Sequence, residues 1–183
     1  MQRIKFYGIG GQGAVTAAKV LSQAVSIYQD EYAITVPAYG HERRGAPVFA
    51  HIIVDDKPVM LNCYVYEPDI VVVFDETIID KNVNVGEGCH EDTVLVLNTG
   101  SSEVVEKYRA VHNFKEIYWS DGTGAALRNI GMSIPNSAML GALAHTGVVD
   151  IDAVERAIND SFGKVGEKNV KAARDAYEHT EKA

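Results

Sequence analysis

Tyr7-Gly8-Ile9-Gly10-Gly11-Gln12-Gly13 limits what this chain can fold into more than any other stretch. The cluster follows the apolar-rich start Ile4-Lys5-Phe6 and precedes a run, Ala14 to Gln29, in which Val15, Ala18, Leu21, Val25 and Tyr28 recur at helical spacing. A strand, a turn and a helix in that order predict a βα unit. Glycines at 8, 10 and 13 fit the G-x-G-x-x-G spacing, in which the lack of Cβ atoms lets backbone N–H groups and the positive end of a helix approach a phosphate. The same glycines also serve a bend that needs only tight helix–strand packing, so spacing alone leaves both readings open.

The rest of the chain continues the alternation. Strands are expected at Tyr32–Val36, ended by Pro37, and at Val48–Val54, which turns through Asp55-Asp56-Lys57-Pro58 into a returning strand at Val59–Leu61. Ile70–Phe74 and Thr93–Leu97 are continuous apolar runs of the kind buried on both faces of a parallel sheet, and Ile117–Trp119 is a third such strand. Helices are expected at Ser102–Val111, Gly122–Ile130, Ser137–Thr146, Ile151–Asp160 and Glu167–Glu178. The fold class is α/β: a Rossmann-like three-layer domain with a mostly parallel sheet and an inserted β-hairpin. At 183 residues and 46% hydrophobic content, one domain over residues 1–183 is the expected organisation.

A formal net charge of −8 argues against an extended polyanion-binding surface, so nucleic acid is not an expected partner. Two cysteines, Cys63 and Cys89, with no Cys-x-x-Cys pair, offer neither a disulfide framework nor an iron–sulfur or zinc site of ordinary spacing. No apolar run approaches a membrane span and no leader segment precedes the first strand; a cytoplasmic protein with no membrane partner is expected.

Tyr39-Gly40-His41-Glu42-Arg43-Arg44-Gly45-Ala46-Pro47 places two guanidinium groups beside the expected carboxyl end of a strand, where ligands of open α/β sheets bind. Arg43 and Arg44 there suit phosphate or carboxylate, and they equally suit surface ion pairing. Asp30 and Glu31 have the count of the acid that holds a nicotinamide ribose, yet they precede the second strand instead of ending it. No G-x-S-x-G elbow or His-Glu-x-x-His pair occurs, and Gly11-Gln12-Gly13-Ala14 lacks the Lys-Ser/Thr end of a triphosphate-binding loop. No catalytic residue and no metal ligand is assigned to this chain.

Gly8 to Ala18 and Tyr39 to Pro47, together with Pro135-Asn136-Ser137-Ala138-Met139-Leu140-Gly141-Ala142 and Phe162-Gly163 to Ala173, closely resemble the γ subunit of 2-oxoacid:ferredoxin oxidoreductases. The resemblance spans nearly the whole chain. It implies a multi-chain enzyme that converts a 2-oxoacid and coenzyme A to acyl-coenzyme A, carbon dioxide and reduced ferredoxin. It further implies that α, β and ferredoxin-like δ subunits hold thiamine diphosphate, magnesium and iron–sulfur clusters, with none of these held by this chain alone. Cofactor-binding residues implied on the coenzyme A side are Gly8, Gly10, Gly11, Gln12, Gly13, Arg43 and Arg44. A free-standing nucleotide-binding oxidoreductase and a ligand-sensing module are the alternatives.

Overall fold

The structure, a computed structural model, describes residues 1–38 and 45–183. Its elements are β1 (Gln2–Ile9), α1 (Ala14–Tyr28), β2 (Tyr32–Ala38), β3 (Pro47–Asp55), β4 (Ile70–Val73), β5 (Val94–Asn98), α2 (Ser102–Val111), β6 (Glu116–Ser120), α3 (Gly122–Ile130), α4 (Asn136–Ala144), α5 (Ile151–Phe162), α6 (Gly166–Glu178) and β7 (Glu181–Lys182). A 3₁₀ turn, Glu76–Lys81, follows β4.

All seven strands form one sheet in the order β2-β3-β1-β4-β5-β6-β7. From the pairings, β1, β2, β4, β5 and β6 point one way, and β3 and β7 the other. The apolar runs of β4 and β5 sit in the middle of the sheet and are buried on both faces, as continuous Val/Leu/Ile strands must be. Successive residues alternate between layers. Ile4, Phe6, Val72 and Val96 join α1, α4 and α5 on one side, while Tyr7, Val71, Val73 and Leu97 join Val105 and Tyr108 of α2 on the other.

Two expectations for this region fail. Residues 59–61 form no strand; the antiparallel partners of β3 are β2 and β1, so the inserted hairpin is β2–β3. β-Branched Val59 and apolar Met60 and Leu61 look strand-like in sequence, but β3 already has a neighbour on each side and offers no free edge. Pro37 does not end β2, which runs on to Ala38. Because β2 is the edge strand, its outer N–H groups have no ladder partner, and a proline there removes nothing the sheet needs. The short strand β7, paired with Tyr118 and Trp119, carries no sequence signal of its own.

α4 is the central helix of the thicker layer. Asn136 to Leu143 are all buried, so the apolar face of Ala138, Leu140, Ala142 and Leu143 belongs to the core. α6 crosses it so closely that a Cβ on Gly141 would stand 1.9 Å from the Ala173 carbonyl oxygen. Among the described residues no helix is long and apolar enough to cross a membrane.

A candidate ligand crevice at the carboxyl ends of the strands

β1 hands its chain leftwards through α1 to β2, while β4 hands its chain rightwards to β5, so the sheet reverses direction of growth between β1 and β4. In open α/β sheets that reversal leaves a crevice beyond the carboxyl ends. The glycine turn sits there. Gly13 caps α1 in the left-handed region at φ 76°, and Gly11 has φ 105°, conformations that favour glycine. Gly8 has a different reason to be glycine: a Cβ would come within 2.9 Å of the Ala14 Cβ, so its absence lets α1 seat against β1.

Gln12 closes the crevice floor. Its side-chain oxygen accepts from the Ile9 N–H at 2.9 Å, and its amide donates to Asp75, the residue two beyond β4. That bond bridges the point where the sheet reverses. Gly10 donates to the Ala46 carbonyl at 2.9 Å and accepts from the Gly45 N–H at 3.4 Å, which joins the glycine turn to the last residues of the Tyr39–Pro47 block. Arg43 and Arg44 themselves lie outside the described residues. Asn136 of the third motif packs on Gly13, where a Cβ would lie 2.8 Å from its Nδ2. Three separated blocks of sequence therefore meet at one turn.

The crevice itself has a volume of about 310 Å³ and is lined by Gln12, Asp75, Glu76, Asn98, Thr99 and Asp121 among others. Its carboxylates are organised by the fold. Asp75 accepts from the Thr77 N–H at 2.9 Å and Thr77 hydroxyl at 2.6 Å, Thr99 donates to Glu76, and Asp121 accepts from the Gly124 N–H at 2.7 Å at the start of α3. Asn98 ties the end of β5 to the residue after β4 and to α3, donating to the Phe74 carbonyl at 2.7 Å and accepting from the Thr123 N–H at 3.2 Å. Beneath Glu76, the buried Tyr108 hydroxyl donates to the Glu76 carbonyl at 3.1 Å. Burial first, then the charges of Asp75, Glu76 and Asp80, push that phenol well above its ordinary pKa and keep it a donor.

The site is thus two-sided. The N–H groups of Gly11, Gly13, Ala14 and Val15 have no acceptor among the described residues, and the first turn of α1 holds no acid to compete for an anion. The adjoining crevice instead presents acceptors. Phosphate suits the turn and not the acidic crevice; hydroxyl or amide donors suit the crevice. Sequence reading found the turn and missed Asp75, Asn98, Thr99 and Asp121 as crevice residues, although each lies within two residues of the end of an expected strand, where the crevice rule applies to every strand and not just the first.

Asp30 and Glu31 stand at the amino end of β2, beside Tyr32, whose partner Asp55 lies next to the start of β1. That is the opposite end of the sheet from the glycine turn, and β3 separates β2 from β1. The nicotinamide-type ribose contact is therefore ruled out for these two acids. Among the described residues no three His, Cys, Asp or Glu side chains gather into a metal-holding group, and Cys63 is exposed while Cys89 is half-buried. The residues described do not fit an iron–sulfur cluster.

Fold and geometry define an open α/β domain with a crevice at the carboxyl ends of its strands. The chain belongs to the pyruvate ferredoxin/flavodoxin oxidoreductase family, whose model matches residues 3–179. It is 46% identical to the pyruvate/ketoisovalerate oxidoreductases common subunit gamma of Pyrococcus abyssi, over 99% of this chain and 98% of that one. The crystal structure of a pyruvate oxidoreductase subunit from Thermotoga maritima superposes with a TM-score of 0.85 at 35% identity, covering 100% of this chain and 98% of the other. A 2-oxoglutarate:ferredoxin oxidoreductase from Magnetococcus marinus shares the fold, with a TM-score of 0.71 at 18% identity over 97% of this chain and 30% of its own. The resemblance to γ subunits thus holds from end to end of the chain.

Proposed function

We propose that residues 1–183 form one γ-type domain of a multi-subunit 2-oxoacid:ferredoxin oxidoreductase, and that its carboxyl-end crevice serves the coenzyme A side of the reaction. The carrying observation is the pairing of an acid-free, donor-rich glycine turn with an acceptor-lined crevice, joined through Gln12 and Asp75. Coenzyme A carries phosphates for the first and amide and hydroxyl donors for the second. The Magnetococcus marinus enzyme, solved with coenzyme A and succinyl-CoA bound, supports coenzyme A as the co-substrate.

Gly11 and Gly13 let the backbone approach a phosphate, Gly8 sets the depth of the turn against α1, and Gly10 fastens it to Ala46. Gln12 shapes the site through Ile9 and Asp75. Arg43 and Arg44 supply the cations that would hold further phosphate charge. Thiamine diphosphate, magnesium and iron–sulfur clusters belong to α, β and δ partner subunits on this reading, with ferredoxin as acceptor and a cytoplasmic setting. In the assembled enzyme, replacing both arginines with alanine should raise the KM for coenzyme A about tenfold or more, with the KM for the 2-oxoacid unchanged. An unchanged coenzyme A KM would remove the arginines from the site.

A further inference from the structure

On the second face of the sheet, beside the 3₁₀ turn Glu76–Lys81, no α-helix among the described residues packs directly over β1 and β3, and a cavity of about 400 Å³ opens there. It shares no lining residue with the carboxyl-end crevice. Its floor is a square of four side chains set by strand register: Lys5 lies directly opposite His51, and Tyr7 directly opposite Phe49. Opposed residues of an antiparallel pair project from the same face, as do residues two apart, so all four stand together. Tyr64 and Val83 complete the walls.

The donor groups of this floor have no matching acceptors among the described residues. Tyr7 is 1% exposed, and its buried hydroxyl has no hydrogen-bond partner among the described residues. Leaving such a group unpaired is costly, and native folds seldom do so without a ligand, ion or water to meet it. Lys5 lies over the Tyr7 ring, its Nζ 4.9 Å from the centroid, and no carboxylate among the described residues comes within ion-pair distance of it. The Val65 N–H donates to His51 Nδ1 at 3.2 Å, so the neutral ring carries its proton on Nε2. Burial, then the charge of Lys5, lowers the His51 pKa to about 4 and keeps the ring neutral. Aromatic surface surrounds these donors: Phe49 meets the Tyr7 ring edge-on at 5.4 Å, and Tyr64 packs on His51 at 4.7 Å. Glu87 is the one carboxylate in the lining, and it is exposed.

We propose that this cavity binds a small carboxylate with an aromatic or branched apolar body, its carboxylate held by Lys5 and Tyr7 and its body against Phe49, Tyr64 and Val83. An anion satisfies the Tyr7 hydroxyl and the Lys5 ammonium at once, and an apolar body fills the space the aromatic walls leave. The site stands apart from the coenzyme A reading and survives its failure.

The test is a protein-observed NMR titration of the full chain with benzoate, phenylacetate and isovalerate. At least one of them is expected to shift the signals of Ala38, Phe49 and Val83 saturably. Tyr7→Phe should weaken that binding about 5- to 10-fold and Lys5→Met about 10-fold or more. Tyr7→Phe removes a hydroxyl that has no partner among the described residues, so its melting temperature should be no lower than that of the parent chain, which separates lost binding from lost folding. Absence of saturable shifts with all three compounds, or equal affinity in the parent and both variants, would overturn the proposal.

Discussion

His51 shows how one residue's surroundings set a measurable property. It is 6% exposed in the centre of β3, accepts a hydrogen bond from Val65 and faces Lys5, so its protonated form is disfavoured by lost hydration and by a neighbouring cation. The folded pKa of about 4 lies below the ordinary 6.5, so the unfolded chain takes up a proton first as the pH falls. The contribution of His51 to stability is therefore intact above about pH 6.5 and is lost between there and about pH 4, amounting to up to about 3 kcal/mol. Urea denaturation at about pH 7 and about pH 4.5, compared between the parent chain and His51→Asn, isolates it from the carboxylates. Asparagine keeps an acceptor for the Val65 N–H and does not titrate, so its stability should fall less over this range. Parallel losses in the two proteins would mean that His51 is protonated in the fold.

Among the elements, α4 and α6 show why small residues recur in the Pro135–Ala142 block. Ser137 donates to Asn169 of α6 at 2.9 Å, and Asn169 donates to the Val165 carbonyl at 2.9 Å, a polar link buried between helices. The link needs close approach, which Gly141 permits. Gly141→Ala should destabilise the chain by about 2–3 kcal/mol, because the new methyl meets backbone, which cannot rotate away. A loss under about 0.5 kcal/mol by chemical denaturation would show that the two helices slide apart freely. The sequence placed these helices within a residue or two because α6 carries its own apolar stripe, while α4, buried all round, is bracketed by the breakers Pro135 and Gly147. It misassigned residues 59–61 and Pro37 because strand identity depends on which edges are free, which no local pattern records. The crevice residues were hidden for a related reason: Asp75, Asn98 and Asp121 gain their meaning from the parallel alignment of β4, β5 and β6, far apart in sequence.

For the whole molecule, the three motif blocks have a common explanation in the fold. Gly8–Gly13, the end of the Tyr39–Pro47 block and Asn136 meet where the sheet reverses its direction of growth. The glycine turn itself was legible from spacing, whereas its coupling to an acceptor-lined crevice and to Asn136 required the tertiary structure. The most direct measurement is recovery of the tagged chain from its native cells under anaerobic conditions, followed by assay for coenzyme A-dependent reduction of an artificial electron acceptor by a panel of 2-oxoacids. The account predicts a larger complex that is active with at least one 2-oxoacid and strictly requires coenzyme A, the separated chain being inactive. A solitary chain without that activity, under conditions that keep comparable complexes whole, would contradict it.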